Sequence, residues 1–302
     1  MRKSDKVLFA IVFCGLFAGH VLAQSEKISI KYIPIPNQTI RFTLTSEGEI
    51  DLNYEGNGSD SLPLMSPMKM TIKNVFGMSQ KTGSFDAQGR LEAELAYEAG
   101  ESQFLMNGNP ISLDEPGKKL IGKKFIAIYN NKGELLDLKI PDDLGFSPES
   151  IKQIMQSIYA NIPKEPISVG ETAILPANID FQFPGFGAGP MKMEGETKTK
   201  LIALEKEADG RIASFDTIND LKLATTTEMD LPTGKLTINL DGKIKGTGNS
   251  RVNIDKGGVP MQSETIMNID AKMTTPTQTG NIQMPNMIIK GAMKVTILAI
   301  RK

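Results

Sequence analysis

The chain has 302 residues, with 34 Lys plus Arg against 35 Asp plus Glu, a single His, a single Cys and no Trp. Charge this balanced and scattered excludes the basic footprint of a nucleic-acid binder and matches a solvated surface. A chain of this length buries a core as one large domain or as two of ordinary size.

The first 23 residues have the features of an export leader. Arg2, Lys3 and Lys6 form a basic start, and Val7 to Ala18 is an apolar run. Val21-Leu22-Ala23 supplies small residues at the positions that precede a cut, here ahead of Gln24. The run is short for a membrane span, which needs roughly 20 apolar residues. No Cys stands at the cut, so no lipid attachment is expected there. Cleavage removes Cys14 and His20, and the mature chain then has no disulfide, thiolate or imidazole. An exported protein without disulfides points to a bacterial envelope and to stability drawn from packing.

Beyond the leader, period-two alternation dominates. Ile40, Phe42 and Leu44 share one side of the segment 39–45, and Ile50, Leu52 and Tyr54 share one side of 49–54. Segments 90–97, 124–129, 211–223, 235–240 and 287–300 behave alike, as half-buried antiparallel strands do. Glu47-Gly48, Gln88-Gly89, Lys132-Gly133, Asp209-Gly210 and Asp241-Gly242 are read as turns. A helix is expected from Ser147, a capping residue, and Pro148, suited to the first turn. Ile151, Ile154, Met155, Ile158 and Tyr159 would form its apolar stripe, and Pro163 would end it. The Pro-rich stretch 162–167 reads as a linker.

The tetrapeptide Pro-Met-Lys-Met occurs at 67–70 and again at 190–193. Further anchors recur in the same order: Gly89-Arg90-Leu91 and Gly210-Arg211-Ile212, Gly122 and Gly246, then Lys132-Gly133 and Lys256-Gly257. This order favours a duplicated strand unit. It predicts a first β unit over 24–146, helix and linker over 147–168, and a second β unit over 169–302. The hairpins opened by the two tetrapeptides should be equivalent. The scheme of Gly-Lys, strand, Lys-Gly, strand, followed by Val169-Gly170-Glu171-Thr172, resembles a family of uncharacterised bacterial exported β-rich proteins. That resemblance implies an envelope location and a β fold, and it implies no activity.

Sites of familiar chemistry fail one by one. Met65, Met68 and Met70, with Met191 and Met193, have a spacing that soft Cu(I) could use. Strand alternation explains them more simply, because Met68 and Met70 share a face with Lys69 turned away. No metal and no cofactor is expected. The loop 184–190 has Gly185 and Gly187 but Pro190 at the third glycine of a dinucleotide fingerprint, and a strand follows it. The segment 117–124 lacks the Ser or Thr of a phosphate-binding loop and also leads into a strand. Asp142, Asp143, Glu171 and Asp180 could pair as glycosidase carboxylates, yet the chain lacks the aromatic platforms that sugar sites use. No serine–lysine pair is marked out.

The expectation is a mainly antiparallel β protein, with two related curved-sheet units (half-barrel or sandwich) and one central amphipathic helix. It is expected to be exported, periplasmic or secreted, and not an enzyme. Its expected partner is a hydrophobic small molecule or lipid held on a curved sheet, by analogy with half-barrel lipoprotein carriers. The candidate ligand or helix-docking residues are Ile151, Ile154, Met155, Ile158, Met68, Met70, Met191 and Met193. The alternative is a structural or interaction module of the cell envelope with a filled core.

Overall fold

A computed structural model describes residues 26–55, 66–111, 121–141, 163, 165–181, 191–231, 234–275 and 286–301. The described strands are β1 (Thr39–Glu55), β2 (Met68–Phe85), β3 (Arg90–Met106), β4 (Asn109–Pro110), β5 (Lys124–Asn130) and β6 (Leu135–Lys139), then β7 (Thr172–Phe181), β8 (Met191–Glu207), β9 (Gly210–Leu231), β10 (Gly234–Asn253), β11 (Val259–Thr274) and β12 (Asn286–Arg301). They form a single 12-stranded sheet in the order β6-β5-β3-β2-β1-β12-β11-β10-β9-β8-β7, with β4 on β3. Every strand-to-strand pairing is antiparallel. The mainly β architecture is therefore as the alternation predicts. The expected helix, with Ile151, Ile154, Met155 and Ile158, lies outside the described residues.

The first and last long strands meet in the middle of the sheet, with Ile40 opposite Arg301 and Glu55 opposite Asn286. The two outer strands, β6 and β7, are neighbours in sequence but are not paired with each other, so the sheet is open.

Contacts of the N-terminal segment demonstrate that this sheet is rolled. The β5–β6 turn and the β10–β11 turn are six strand spacings apart in the sheet order. On a flat sheet that is about 29 Å, at ~4.8 Å per strand. Yet a Cβ added at Gly133 in the first turn would overlap the Tyr32 carbonyl oxygen. One added at Gly257 in the second would overlap the carbonyl oxygen of Ile33, the next residue. Only a sheet curled around the segment brings the two turns to successive peptide groups of it.

That segment acts as a strap across one end of the roll. Ile28 bridges Ile167 beside β7 through two backbone hydrogen bonds of 2.9 Å. The Ile33 amide donates to the Gly257 carbonyl at 3.0 Å. Farther on, the Thr82 hydroxyl of β2 donates to the Ile35 carbonyl at 2.5 Å. Alternate strap residues Ile28, Ile30, Tyr32 and Pro34 point inward and are buried. Tyr32 stacks edge-on against Tyr129, with ring centroids 5.9 Å apart, and its hydroxyl hydrogen-bonds the buried Gln80 carboxamide.

Two apolar clusters form around the strap. One joins Tyr32 to Ile40, Leu95, Phe125, Tyr129, Leu138 and Val259. The other joins Ile28 and Ile30 to Ile167, Leu201, Ala213, Phe215 and Val252. Ile167, within the stretch read as a linker, is thus core. Each large side chain buried here contributes about 1.5–3 kcal/mol, so the described packing is concentrated at the strapped end.

Two sequence expectations fail locally. Glu47-Gly48 and Asp241-Gly242 are not turns: both lie inside long strands, β1 and β10. Glycine serves close packing at these positions. A Cβ on Gly48 would stand 3.0 Å from the Ala292 carbonyl oxygen, and one on Gly242 would collide with the Ala271 side chain. The other three glycines, Gly89, Gly133 and Gly210, do occupy turns at positive φ. Of the anchor pairs, Gly122 has positive φ ahead of β5, whereas Gly246 sits within β10. Met68 to Met70 and Met191 to Met193 open β2 and β8, the first strands of the hairpins β2–β3 and β8–β9, each with its turn at the strapped end.

Charges ring that end. Arg211 pairs with Asp255 at 2.7 Å and with Glu26, at the start of the strap, at 2.7 Å. Side-chain hydrogen bonding from Arg211 holds the Asp255 carboxyl below the usual carboxylate range. At the β2–β3 turn, the Arg90 backbone amide does the same for Asp86. A carboxylate with a depressed folded pKa adds stability above its unfolded value, near pH 4, and loses it as pH falls through the folded value. The melting temperature should therefore drop below about pH 4. Asp255→Asn should melt lower near neutral pH and show a shallower acid drop, measured by thermal melts from about pH 2 to 6. Parallel acid profiles for the two proteins would show that this ion pair does not contribute.

Candidate functional site

The inner face of the roll is the face that carries the buried clusters, and strand alternation extends it toward the unstrapped rim. On β1 it presents Leu44, Ser46, Gly48, Ile50, Leu52 and Tyr54. On β2 it presents Met68, Met70, Ile72, Asn74 and Phe76, and on β12 Met287, Ile289, Gly291, Met293 and Val295. On β11 it continues with Met267, Ile269, Ala271 and Met273.

Burial changes along this face. The cluster residues at the strap are buried, and Leu221, Leu223, Ile244 and Ala271 stay buried rimward on β9 to β11, but Met68, Met70, Ile72, Met267, Ile269, Met287 and Met293 are only half-buried. Three methionine pairs stand directly opposite across neighbouring strands: Met70 with Met106, Met267 with Met293, and Met273 with Met287. The result is a plugged floor under an adaptable apolar wall, since thioether side chains fit irregular apolar shapes.

The predicted site residues fall as follows. Met68 lies opposite Leu52, and Met70 between Ile50 and Met106. Met193 lies between Ile179 and Leu223, and Met191 opens β8 opposite Phe181. Met193 shares the face of Met68 and Met70 but stands six strand spacings away, on β8. Sequence reasoning missed the rest of the wall on β1, β11 and β12. The signal was there in the unbroken even parity of 40 to 54.

A polar belt crosses this face between floor and rim. One cross-strand row runs Ser102, Asn74, Ser46, Val295, Thr265, Gly248, Thr217, Thr199. The Asn74 carboxamide donates to the Ser46 hydroxyl at 3.1 Å, and the Thr197 hydroxyl to the Asn219 carboxamide at 2.8 Å. The side-chain oxygens Asn74 Oδ1 and Thr199 Oγ1 are buried without a partner. By register, the charged residues of the described inner face are Lys206, Arg211 and Arg301, all at the strapped end; Arg301 lies at the floor. Burial pushes its guanidinium pKa down, and its Nη2 donates to the Lys256 carbonyl.

The outer face carries two shallow grooves. One, of about 370 Å³, is bordered by Glu47, Lys73, Val75 and Glu101. The other, of about 360 Å³, is bordered by Ile218, Thr247 and Ile266. Among the described residues, no three His, Cys, Asp or Glu side chains converge as a metal site. Glu171 accepts a hydrogen bond from the Ser168 amide and closes the turn before β7.

Fold and site together define an open, rolled antiparallel sheet plugged at one end. No family model and no curated protein matches the sequence. Among solved structures, the chain is similar to one described as lipid–protein interactions in lipovitellin, at 9% identity and a TM-score of 0.41. That likeness covers 86% of this chain and 25% of the other, so the chain spans about a quarter of that structure's length. It is also similar to the crystal structure of Pseudomonas aeruginosa OccK11 (OpdR), at 5% identity and a TM-score of 0.19, covering 91% of this chain and 100% of that one. At those scores neither likeness bears on what the protein does.

Proposed function

We propose that the protein is a non-catalytic binding protein of the bacterial envelope that holds an apolar molecule, of lipid type, against the inner wall of the rolled sheet. The observation that carries this is the contrast along one face. The strap seals and fills the floor, while the methionine side chains above it on β2, β11 and β12 stay half-buried. A sheet evolved only for a core would fill both ends, because each exposed apolar side chain forgoes about 1.5–3 kcal/mol of burial. Export rests on the leader features of residues 1–23.

The protein should saturate with the uncharged fluorophore N-phenyl-1-naphthylamine at micromolar concentration. Solvent extraction of protein purified from its own envelope should release a lipid detectable by mass spectrometry. No saturation and no extracted lipid would leave the second reading, an interaction module. That reading is favoured by the exposed outer-face residues Ile218, Ile266, Leu298 and Ile300.

A further inference from the structure

Resting on that carrier reading, we propose that the wall formed by β8–β11 is a site for the hydroxyl group of an uncharged acyl lipid of the monoacylglycerol type. The inner face there is most polar in two adjacent rows, with Ser250 and Ser263 in the row on their floor side. One row is Thr199, Thr217, Gly248 and Thr265, and the next toward the rim begins Thr197, Asn219 and Gly246. Leu201 and Phe215 lie on the floor side, and Leu221 and Ile244 on the rim side. A wall meant only for hydrocarbon gains nothing from four threonines and an asparagine in its middle.

Two of these groups satisfy each other, Thr197 donating to Asn219. Thr199 does not share in this. It is 3% exposed, and its hydroxyl oxygen has no hydrogen-bond partner. Buried polar atoms are almost always partnered, and an unpartnered one is costly. Glycines at 246 and 248 leave β10 without side chains between Asn219 and Thr217 on one strand and Met267 and Thr265 on the other. A Cβ added at Gly248 would come within 2.9 Å of both the Glu264 carbonyl oxygen and the Thr265 hydroxyl, so a larger residue would crowd this row.

Charge decides which lipid fits. By register, no Asp, Glu, Lys or Arg lies on the inner face of β8 to β11 rimward of Leu201 and Phe215; Lys206 and Arg211 stand at the strapped end. A carboxylate or phosphate buried there would lack a counter-ion, which is strongly unfavourable. A hydroxyl both donates and accepts, and so matches a threonine hydroxyl in either sense. The acyl chain would then run toward the rim over the half-buried Met267, Ile269 and Met273 of β11.

The test is displacement of bound N-phenyl-1-naphthylamine from the mature protein by 1-monooleoylglycerol, methyl oleate and oleate. Monooleoylglycerol should compete about tenfold better than methyl oleate, which has the chain and ester but no hydroxyl. Oleate should be weakest. Thr199→Val should erase the advantage and leave the methyl oleate midpoint unchanged. Thr217→Val serves as a second variant if the strand circular dichroism of the first is altered. Equal midpoints for monooleoylglycerol and methyl oleate in the unaltered protein would mean that Thr199 holds a buried water only, and the site would fall. Oleate as the best competitor would also overturn it. Dye that binds without any hydroxyl preference removes this site alone, whereas dye that never binds removes the carrier reading with it.

Discussion

Gly133→Ala should destabilise the protein by about 3 kcal/mol or more, while Gly108→Ala should cost only about 1 kcal/mol. The pair is a controlled comparison, because both glycines have the same φ of 81°. Alanine at that angle carries a conformational penalty of about 1 kcal/mol at either site. At Gly108 nothing lies within 4 Å of the added Cβ. At Gly133 the Cβ would overlap the Tyr32 carbonyl, a backbone atom that no rotamer change can move. The strap must shift, and with it Ile30 and Tyr32, each of which contributes about 1.5–3 kcal/mol by burial. Denaturant unfolding of both variants gives the difference, and trypsin cleavage after the exposed Lys27 and Lys31 should accelerate only in Gly133→Ala. Equal losses in the two variants would mean that the strap is not held by this turn.

The strap also marks the limit of what the sequence discloses. Its inward residues Ile28, Ile30, Tyr32 and Pro34 alternate like those of any strand here. Pro34 and Pro36 argue against a sheet strand, because proline cannot donate to a ladder. The segment is indeed no ladder strand; it crosses the end of the roll through a few separate bonds. Nothing in its own residues names Gly133 and Gly257 as partners, since those contacts exist only once the sheet has curled. Similarly, Gly48 and Gly242 look like turn residues in isolation. The phase of the alternation tells otherwise: the inward parity of 40, 42 and 44 continues unchanged at 50, 52 and 54, so β1 passes straight through Gly48. Local periodicity is legible because it needs only neighbouring residues. The pairing of β1 with β12 is not, because it joins residues some 260 positions apart. The same divide holds at the wall. Met68 and Met70 announce themselves through a repeated tetrapeptide, whereas Met106, Met267 and Met293 become their companions only through the register.

One pair of carboxylates separates a carrier from a filled sandwich. Leu201→Asp should unfold the protein or cost at least about 4 kcal/mol, while Met70→Asp should cost about 1 kcal/mol and abolish binding of the apolar dye. Leu201 is 0% exposed and is surrounded by Ile28, Ile30, Phe215 and Val252, with no cation to pair with a new carboxylate. Burying a charge there leaves it unsolvated. Met70 lies on the same face but is half-buried, opposite Ile50 and Met106. A carboxylate at that position can still reach water, so folding is spared, but it places charge on the wall that the ligand must cover. Unfolding curves measure the first effect and dye titration the second. If Met70→Asp is as destabilising as Leu201→Asp, the wall is closed core and the structural role is the correct one. If it folds normally and still binds the dye with unchanged affinity, the apolar molecule does not lie against β2, and the carrier reading loses the wall on which it stands.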